Sequence, residues 1–182
     1  MMDFHEVGPA DPHEAARCPE IEARAAIRFD PEDLPPGVAG QVNEVETLVA
    51  AQREGRLLVA RVDDGQTLVG FALLEEHGDE AHLEELDVLP EYGGVGIGRD
   101  LLEAACAWAR IKGFASITLS TFRDVPWNGP FYARAGFEEI PREAWSASLV
   151  AAAAAEVEAG LDPARRIMMR RRLDGAPQDT AE

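Results

Sequence analysis

Gly93-Gly94-Val95-Gly96-Ile97-Gly98 puts four glycines into six residues, between a run that reads as a strand and one that reads as a helix. Glycine lets backbone approach a ligand closely. The N–H groups of such a loop, and those of the helix that follows it, then point at an anion. Pyrophosphate is the usual guest. The mononucleotide loop needs Lys-Ser/Thr after its last glycine, and here Arg99-Asp100 follows Gly98. The dinucleotide fingerprint needs a small third residue, and Gly94-x-Gly96 meets Arg99 at that place. The loop also follows a meander of strands and does not open a βαβ unit. A plain helix-entry turn is the alternative to an anion site.

Other reactive side chains give less. His5, His13, His77 and His82 show no metal-ligand spacing among themselves or with Cys18 and Cys106, so no metal is expected. The two cysteines make no disulfide framework and read as small buried hydrophobes in helices. Arg170-Arg171-Arg172 reads as the solvated side of a last strand more readily than as a binding patch.

The elements that must position the loop follow from periodicity. Asp11–Phe29 carries a helical stripe of Ala15, Cys18, Ile21, Ala25 and Phe29, with Asp11-Pro12 as cap and first residue. Residues 30–40, rich in proline and glycine, predict a loop, and Gln41–Glu54 a second helix. The period then changes. Leu57–Val62 and Thr67–Glu76 read as a hairpin about Asp63-Asp64-Gly65, and Glu80–Leu89 as a third strand. The step from Leu83 to Leu86 breaks strict alternation, as a β-bulge would. Arg99–Lys112 predicts a helix with Leu102, Ala105, Cys106 and Ala109 inward. Further on come a strand at Ser116–Thr121, a short helix at Asn128–Arg134, a strand at Phe137–Ile140, an alanine-rich helix at Ser146–Ala159 and a last strand at Arg165–Leu173. The polar residues 174–182 predict a frayed tail. Mixed strands and helices make the class α/β or α+β.

The chain has 182 residues, 46% hydrophobic and 28% charged, which suits one globular domain over residues 1–173. No apolar run is long enough to span a bilayer, and Met1–Glu6 lacks the pattern of a signal peptide, so a cytoplasmic location is expected. The net charge is −17, with Lys112 the only lysine. That balance argues against a nucleic-acid partner and favours cationic ones.

With its flanks Val88–Tyr92 and Arg99–Leu102, the glycine run resembles the Gln/Arg-x-x-Gly-x-Gly/Ala signature of the GNAT superfamily of N-acyltransferases. The later run from Asn128 to Phe137, with Tyr132 and Gly136-Phe137, is similar to a second hallmark of that family. The resemblance is strong from about Leu57 to Ile140 and consistent in architecture from about Phe4 to Leu173. One departure is Gly93, which stands where the family has Gln or Arg.

The resemblance implies a mixed, mostly antiparallel, twisted sheet flanked by helices. It implies transfer of an acetyl group from acetyl-CoA to a primary amine by direct attack, with no cysteine nucleophile and no membrane partner. The implied pyrophosphate cradle is Val95, Gly96, Ile97, Gly98 and Arg99. Val88, Leu89 and Pro90 on the splayed strand, with Asn128, would hold the pantetheine and thioester. Glu84 or Glu85 would take the amine's proton. Neighbours on a strand face opposite ways, so one of them should point in, and Glu84 is favoured unless a bulge at Glu85 reverses the choice. Asp87 and His82 stand in reserve, and both glutamates could instead be solvated carboxylates. Tyr132 would give a proton to the departing thiolate, or else pack beside Phe131. Asn128 doubles as a helix N-cap. The loop Thr121–Trp127 would border the acceptor pocket, or be pinned by Trp127. The acceptor, a small molecule or peptide, is unnamed by the sequence, and cationic amines fit the charge. The family is often dimeric, and the sequence marks no dimer patch. A silent acyl-CoA-binding sensor is the alternative activity.

Overall fold

The change of period at Leu57 marks the start of the sheet. A computed structural model describes residues 4–173, and the tail expected at 174–182 lies outside the described residues. Strands β1 (Glu6–Pro9), β2 (Leu57–Val62), β3 (Thr67–His77), β4 (Glu80–Val88), β5 (Ser116–Phe122), β6 (Glu138–Glu139) and β7 (Arg166–Arg172) form one sheet in the order β1-β2-β3-β4-β5-β7-β6. Every pairing is antiparallel except β4 with β5.

The helices are α1 (Pro12–Ala15), α2 (Cys18–Ala26), α3 (Pro36–Ala39), α4 (Val45–Arg53), α5 (Ile97–Ile111), α6 (Gly129–Arg134) and α7 (Ala147–Ala159). α5 covers one face of the sheet with its buried stripe of Leu101, Leu102, Ala105, Cys106 and Ala109. α2 and α4 pack on the face of β2, β3 and β4 opposite α5. Fully buried Phe71, Leu73, Leu48 and Leu57 belong to the same core.

Three expectations are revised. The single helix over Asp11–Phe29 is two, α1 and α2, because Pro19 lacks the N–H needed to continue an earlier helix and fits only a first turn. The loop over 30–40 contains α3. The helix expected from Gln41 begins at Val45, because Asn43 is held elsewhere: its backbone N–H and side-chain amide donate to the Glu22 carboxylate at 2.8 and 3.2 Å. β1 was not expected. It joins the sheet edge beside β2, four residues long and with both glycine and proline in it.

The bulge is present. Leu73 pairs with Glu85 and Leu74 with Leu83, which leaves Glu84 as the extra residue. β4 and β5 pair only over Ala81–Leu83 and Ile117–Leu119. Beyond that register the strands diverge and a wedge opens between them.

Candidate active site

The wedge widens into a cleft of about 770 Å³. Its walls are the second half of β4, the end of β5, the glycine loop, α6 and the α2–α3 segment.

Backbone phase on β4 determines which N–H groups reach the wedge. Leu89 N–H donates to Val69 O at 2.8 Å. Alternate residues of an antiparallel pair turn their backbone groups to opposite sides. Asp87 and Glu85 therefore bond toward β3, and the N–H groups of Val88 and Leu86 point into the wedge. This corrects two expected contacts: the Leu89 N–H is already used, its side chain is buried in the core, and Pro90 has no N–H to give.

At the loop end, Gly94 and Gly96 take positive φ, +78° and +99°, which only glycine adopts without strain. Gly96 caps α5, and the first bond of the helix runs from Asp100 N–H to Gly96 O at 3.0 Å. The N–H groups of Ile97, Gly98 and Arg99 are thus the open donors of the helix start. Gly96, Gly98 and Arg99 line the cleft; the Ile97 side chain is buried in the core and the Val95 side chain is 66% exposed, outside it. Both can take part only through backbone. Gly93 also lines the cleft, and a Cβ there would lie 3.6 Å from Arg28 Nη1. Arg28, stacked 4.5 Å over the Trp127 ring, therefore brings a guanidinium to the place the missing Gln/Arg side chain would start from. Arg28, Arg99 and Arg134 all line the cleft, and none forms an ion pair among the described residues.

The opposite end is acidic. The bulge leaves Glu84 without a partner on β3, and Glu84 and Glu85 are both among the residues that line the cleft. Their surroundings differ. Glu84 Oε2 lies 3.7 Å from His82 Nε2; burial and the charge of Glu75 push its carboxyl up. Buried His82 is hydrogen-bonded to Thr118 Oγ1 at 2.8 Å and stacked on His77. Its pKa is pushed down to about 4 by burial and by His77, so it is neutral at pH 7. Glu85 is within hydrogen-bonding reach of Asp87, and burial, then Asp87 and Glu22, push it well above the carboxylate range. Burial and the Glu22 charge push Asp87 up to about 7. Asp87 Oδ2 is buried and meets no N–H or hydroxyl donor among the described residues.

Tyr132 hangs from α6 into this end, 9% exposed and edge-on to Phe131 and Phe137. Burial and the charges of Glu85 and Asp87 hold its phenol protonated far above the usual range. Tyr132 packs beside Phe131 and also lines the cleft. α6 sits close under β5, since a Cβ on Gly129 would lie 2.5 Å from Arg123 O. Asn128 occupies the N-cap position, but its side chain makes no capping bond. Oδ1 accepts instead from Thr121 Oγ1 at 3.0 Å, and the amide lines the cleft. Trp127, Phe29 and Phe122 form one edge-packed aromatic wall of the cleft.

Sequence reasoning missed Arg28, Glu22 and Arg166, each distant from both motifs. Arg166 lines the cleft, pairs with Glu156 at 2.6 Å and lies over Phe122. Cys18 and Cys106 are buried, with thiols pushed up to about 12 and about 11 by burial, which makes them poor nucleophiles. Away from the cleft, Asp11, His13 and Glu14 bring one ligand-type atom each within 4.8 Å of one another. The Glu14 carboxylate there is already engaged by Arg61 at 2.6 Å and by the Asp11 N–H at 2.7 Å.

Solved structures share this architecture. The PaiA N-acetyltransferase of Thermoplasma acidophilum, solved with coenzyme A, is 19% identical with a TM-score of 0.68, over 93% of this chain and 99% of that one. A GCN5-related N-acetyltransferase from Rhodopseudomonas palustris is 22% identical with a TM-score of 0.69, over 95% and 98%. The ribosomal-protein-S18-alanine N-acetyltransferase of Escherichia coli is 20% identical with a TM-score of 0.64, over 98% and 100%. These likenesses are of fold. The family model of the acetyltransferase (GNAT) family matches residues 24–137, which contain the diverging strands, the glycine loop and Tyr132. That match spans more than half of the sequence, and the chain belongs to the acetyltransferase (GNAT) family.

Proposed function

We propose that the protein moves an acetyl group from acetyl-CoA to a primary amine by direct attack in this cleft. The observation that carries the reading is the polarity of the cleft. Arg28 and Arg99, without ion pairs, stand with the open helix N–H groups at the glycine loop, and carboxyls with a buried tyrosine stand elsewhere in the cleft. A polyanionic thioester fits the first set and an ammonium the second.

In this reading the N–H groups of Gly98 and Arg99, with Arg28, Arg99 and Arg134, hold the pyrophosphate. Arg28 supplies the charge that Gly93 does not. Asn128 and the Val88 and Leu86 N–H groups orient the pantetheine and the thioester carbonyl. An N–H aimed at that oxygen stabilises the negative charge gathering there during attack. Acetyl-CoA, when bound, supplies the acyl carbon and the leaving thiolate.

The proton balance assigns the remaining roles. An ammonium must lose one proton before its nitrogen can attack. The Glu85–Asp87 pair, raised toward neutrality beside Tyr132, suits that step better than Glu84, which faces His82. As the nitrogen bonds to the acyl carbon, the carbon–sulfur bond breaks and Tyr132 gives its proton to the sulfur. The second proton of the nitrogen then restores Tyr132. The net products are the amide, the CoA thiol and one proton.

The test is amine-dependent release of CoA thiol with wild type and Tyr132→Phe. Turnover in the wild type, reduced about 100-fold or more in the variant, supports the reading. Acetyl-CoA that binds but yields no thiol with any amine would favour a sensor.

A further inference from the structure

Residues 30–43, the stretch from α2 to α4 that carries α3, cross the cleft. The stretch starts after Phe29, whose ring packs on Phe122 and Trp127 beyond the wedge. It ends back on α2, where Asn43 donates to Glu22. Between these points it meets the C-terminal part of the chain twice. Arg165, just before β7, reaches Asp33 at 2.7 Å and Glu32 at 3.4 Å. Val38 lies against Gly160 at the end of α7, where a Cβ would be 3.2 Å from Val38 Cγ2. Because α2 packs on β3 and β4, the stretch is a strap from the β4 side of the wedge to the β7 side. Leu34, Val38, Ala39 and Val42 line the cleft from the strap, and Leu161 lines it from the wall that the strap meets.

The contacts of the strap differ in kind. Asn43 is held by both its backbone N–H and its side-chain amide, at 2.8 and 3.2 Å. The middle is tied to the far wall by ion pairs of one side chain, Arg165, which is 40% exposed. An ion pair open to water adds little to global stability, yet it is enough to shift a local opening equilibrium a few-fold. Pro31, Pro35 and Pro36 restrict the backbone of the strap, so it moves more as a piece than as a string.

We propose that Arg165 is a positioning residue, which latches the strap across the cleft so that its apolar side chains keep water from the acyl carbon of a bound thioester. This inference rests on the acetyl-transfer reading and adds to it a device that favours an amine over water. With the strap loose, water attacks as the amine would. Its oxygen bonds to the acyl carbon, the carbon–sulfur bond breaks and one water proton goes to the sulfur. The products are acetate, the CoA thiol and one proton.

The experiment has two readouts on the whole protein, as wild type, Arg165→Ala and Arg165→Lys. Hydrogen exchange without ligand follows the strap amides of Leu34, Val38 and Ala39 against those of β3 and α5. Release of CoA thiol from acetyl-CoA without amine follows the entry of water. Arg165→Ala should speed strap exchange by about fivefold and thiol release by about threefold, leaving Tm and the β3 and α5 amides as they were. Arg165→Lys keeps the charge and should return both rates most of the way to wild type. Raising salt from about 10 to about 500 mM should speed strap exchange in the wild type and not in Arg165→Ala. Strap exchange that is the same in wild type and Arg165→Ala, or that speeds up together with β3 and α5, would overturn the latch. Faster strap exchange with unchanged thiol release would overturn the shielding and leave the transfer reading standing. If Arg165→Ala does not fold, wild-type strap exchange indifferent to salt overturns the latch by itself. A wild type that does not bind acetyl-CoA would retire the transfer reading and the shielding with it, and the exchange comparison would still decide the latch.

Discussion

Asp87 and Glu85 carry the most consequence per atom. Burial and mutual repulsion keep this pair protonated to higher pH than ordinary carboxyls. In the proposed reaction this pair is the base and works only when deprotonated, so kcat/KM should rise with pH through a limb near 7, and Asp87→Asn should lower activity and abolish the limb. Stability runs the other way. A carboxyl whose folded pKa is raised holds its proton better in the folded state than in the unfolded one. Its contribution is present below the unfolded value of 3.8 and is lost as pH rises through about 7. Asp87→Asn should therefore raise Tm at pH 8 by a few degrees and change it little at pH 4, at about 2–4 °C per kcal/mol for a chain of this size. Thermal scans at the two pH values check this. Arg28 gives a second residue-scale expectation. Arg28→Ala should weaken acetyl-CoA binding by roughly tenfold and leave Tm nearly unchanged, because Arg28 is exposed and makes no ion pair. Unchanged affinity would remove Arg28 from the cradle.

At the scale of elements, the site depends on where β4 stops pairing with β5 and on how closely α6 sits below the gap. Gly129 tests the second point. A Cβ would lie 2.5 Å from Arg123 O and 2.9 Å from Phe122 O, both rigid backbone. Gly129→Ala should shift α6 and Tyr132 with it, lowering stability by about 1–3 kcal/mol and kcat along with it. A variant with wild-type Tm and kcat would show that α6 placement is not critical. Much of this was legible in the sequence. The bulge showed in the step from Leu83 to Leu86, because a period-2 pattern exposes a single inserted residue. The loop and α5 showed in the glycines and the stripe from Leu102 to Ala109. What was not legible depended on distant chain. The direction of Glu85 follows from pairing with Leu73, and β1 exists only because β2 offers it an edge. Asn128 turned from cap to cleft because Thr121, seven residues earlier, binds its oxygen. Glu22 and Arg28 come from a segment whose sequence shows only a helix and its end.

For the whole molecule the net charge of −17 has two opposite consequences. Such a field would attract a cationic acceptor and repel a polyanionic thioester, so in the proposed reading the arginines around the loop offset the wider field locally. Screening should separate the two. Raising ionic strength from about 10 to about 150 mM shortens the Debye length from roughly 30 to roughly 8 Å. KM for a cationic amine should rise over that range, and KM for acetyl-CoA should rise less or fall. Parallel changes in both would argue against a polarised cleft.

The most direct measurement is thermal stability with and without acetyl-CoA, for the wild type and Gly98→Trp. A Cβ at Gly98 meets only ordinary contacts, 3.8 Å from Val88 and 3.9 Å from Phe131, so the fold should tolerate substitution while an indole fills the cradle. At 100 times its Kd the ligand should add about 2.7 kcal/mol, or roughly 5–10 °C. The account predicts that rise in the wild type and its absence in Gly98→Trp. No rise at millimolar acetyl-CoA, or an equal rise in a folded Gly98→Trp, would contradict a thioester site in the glycine loop.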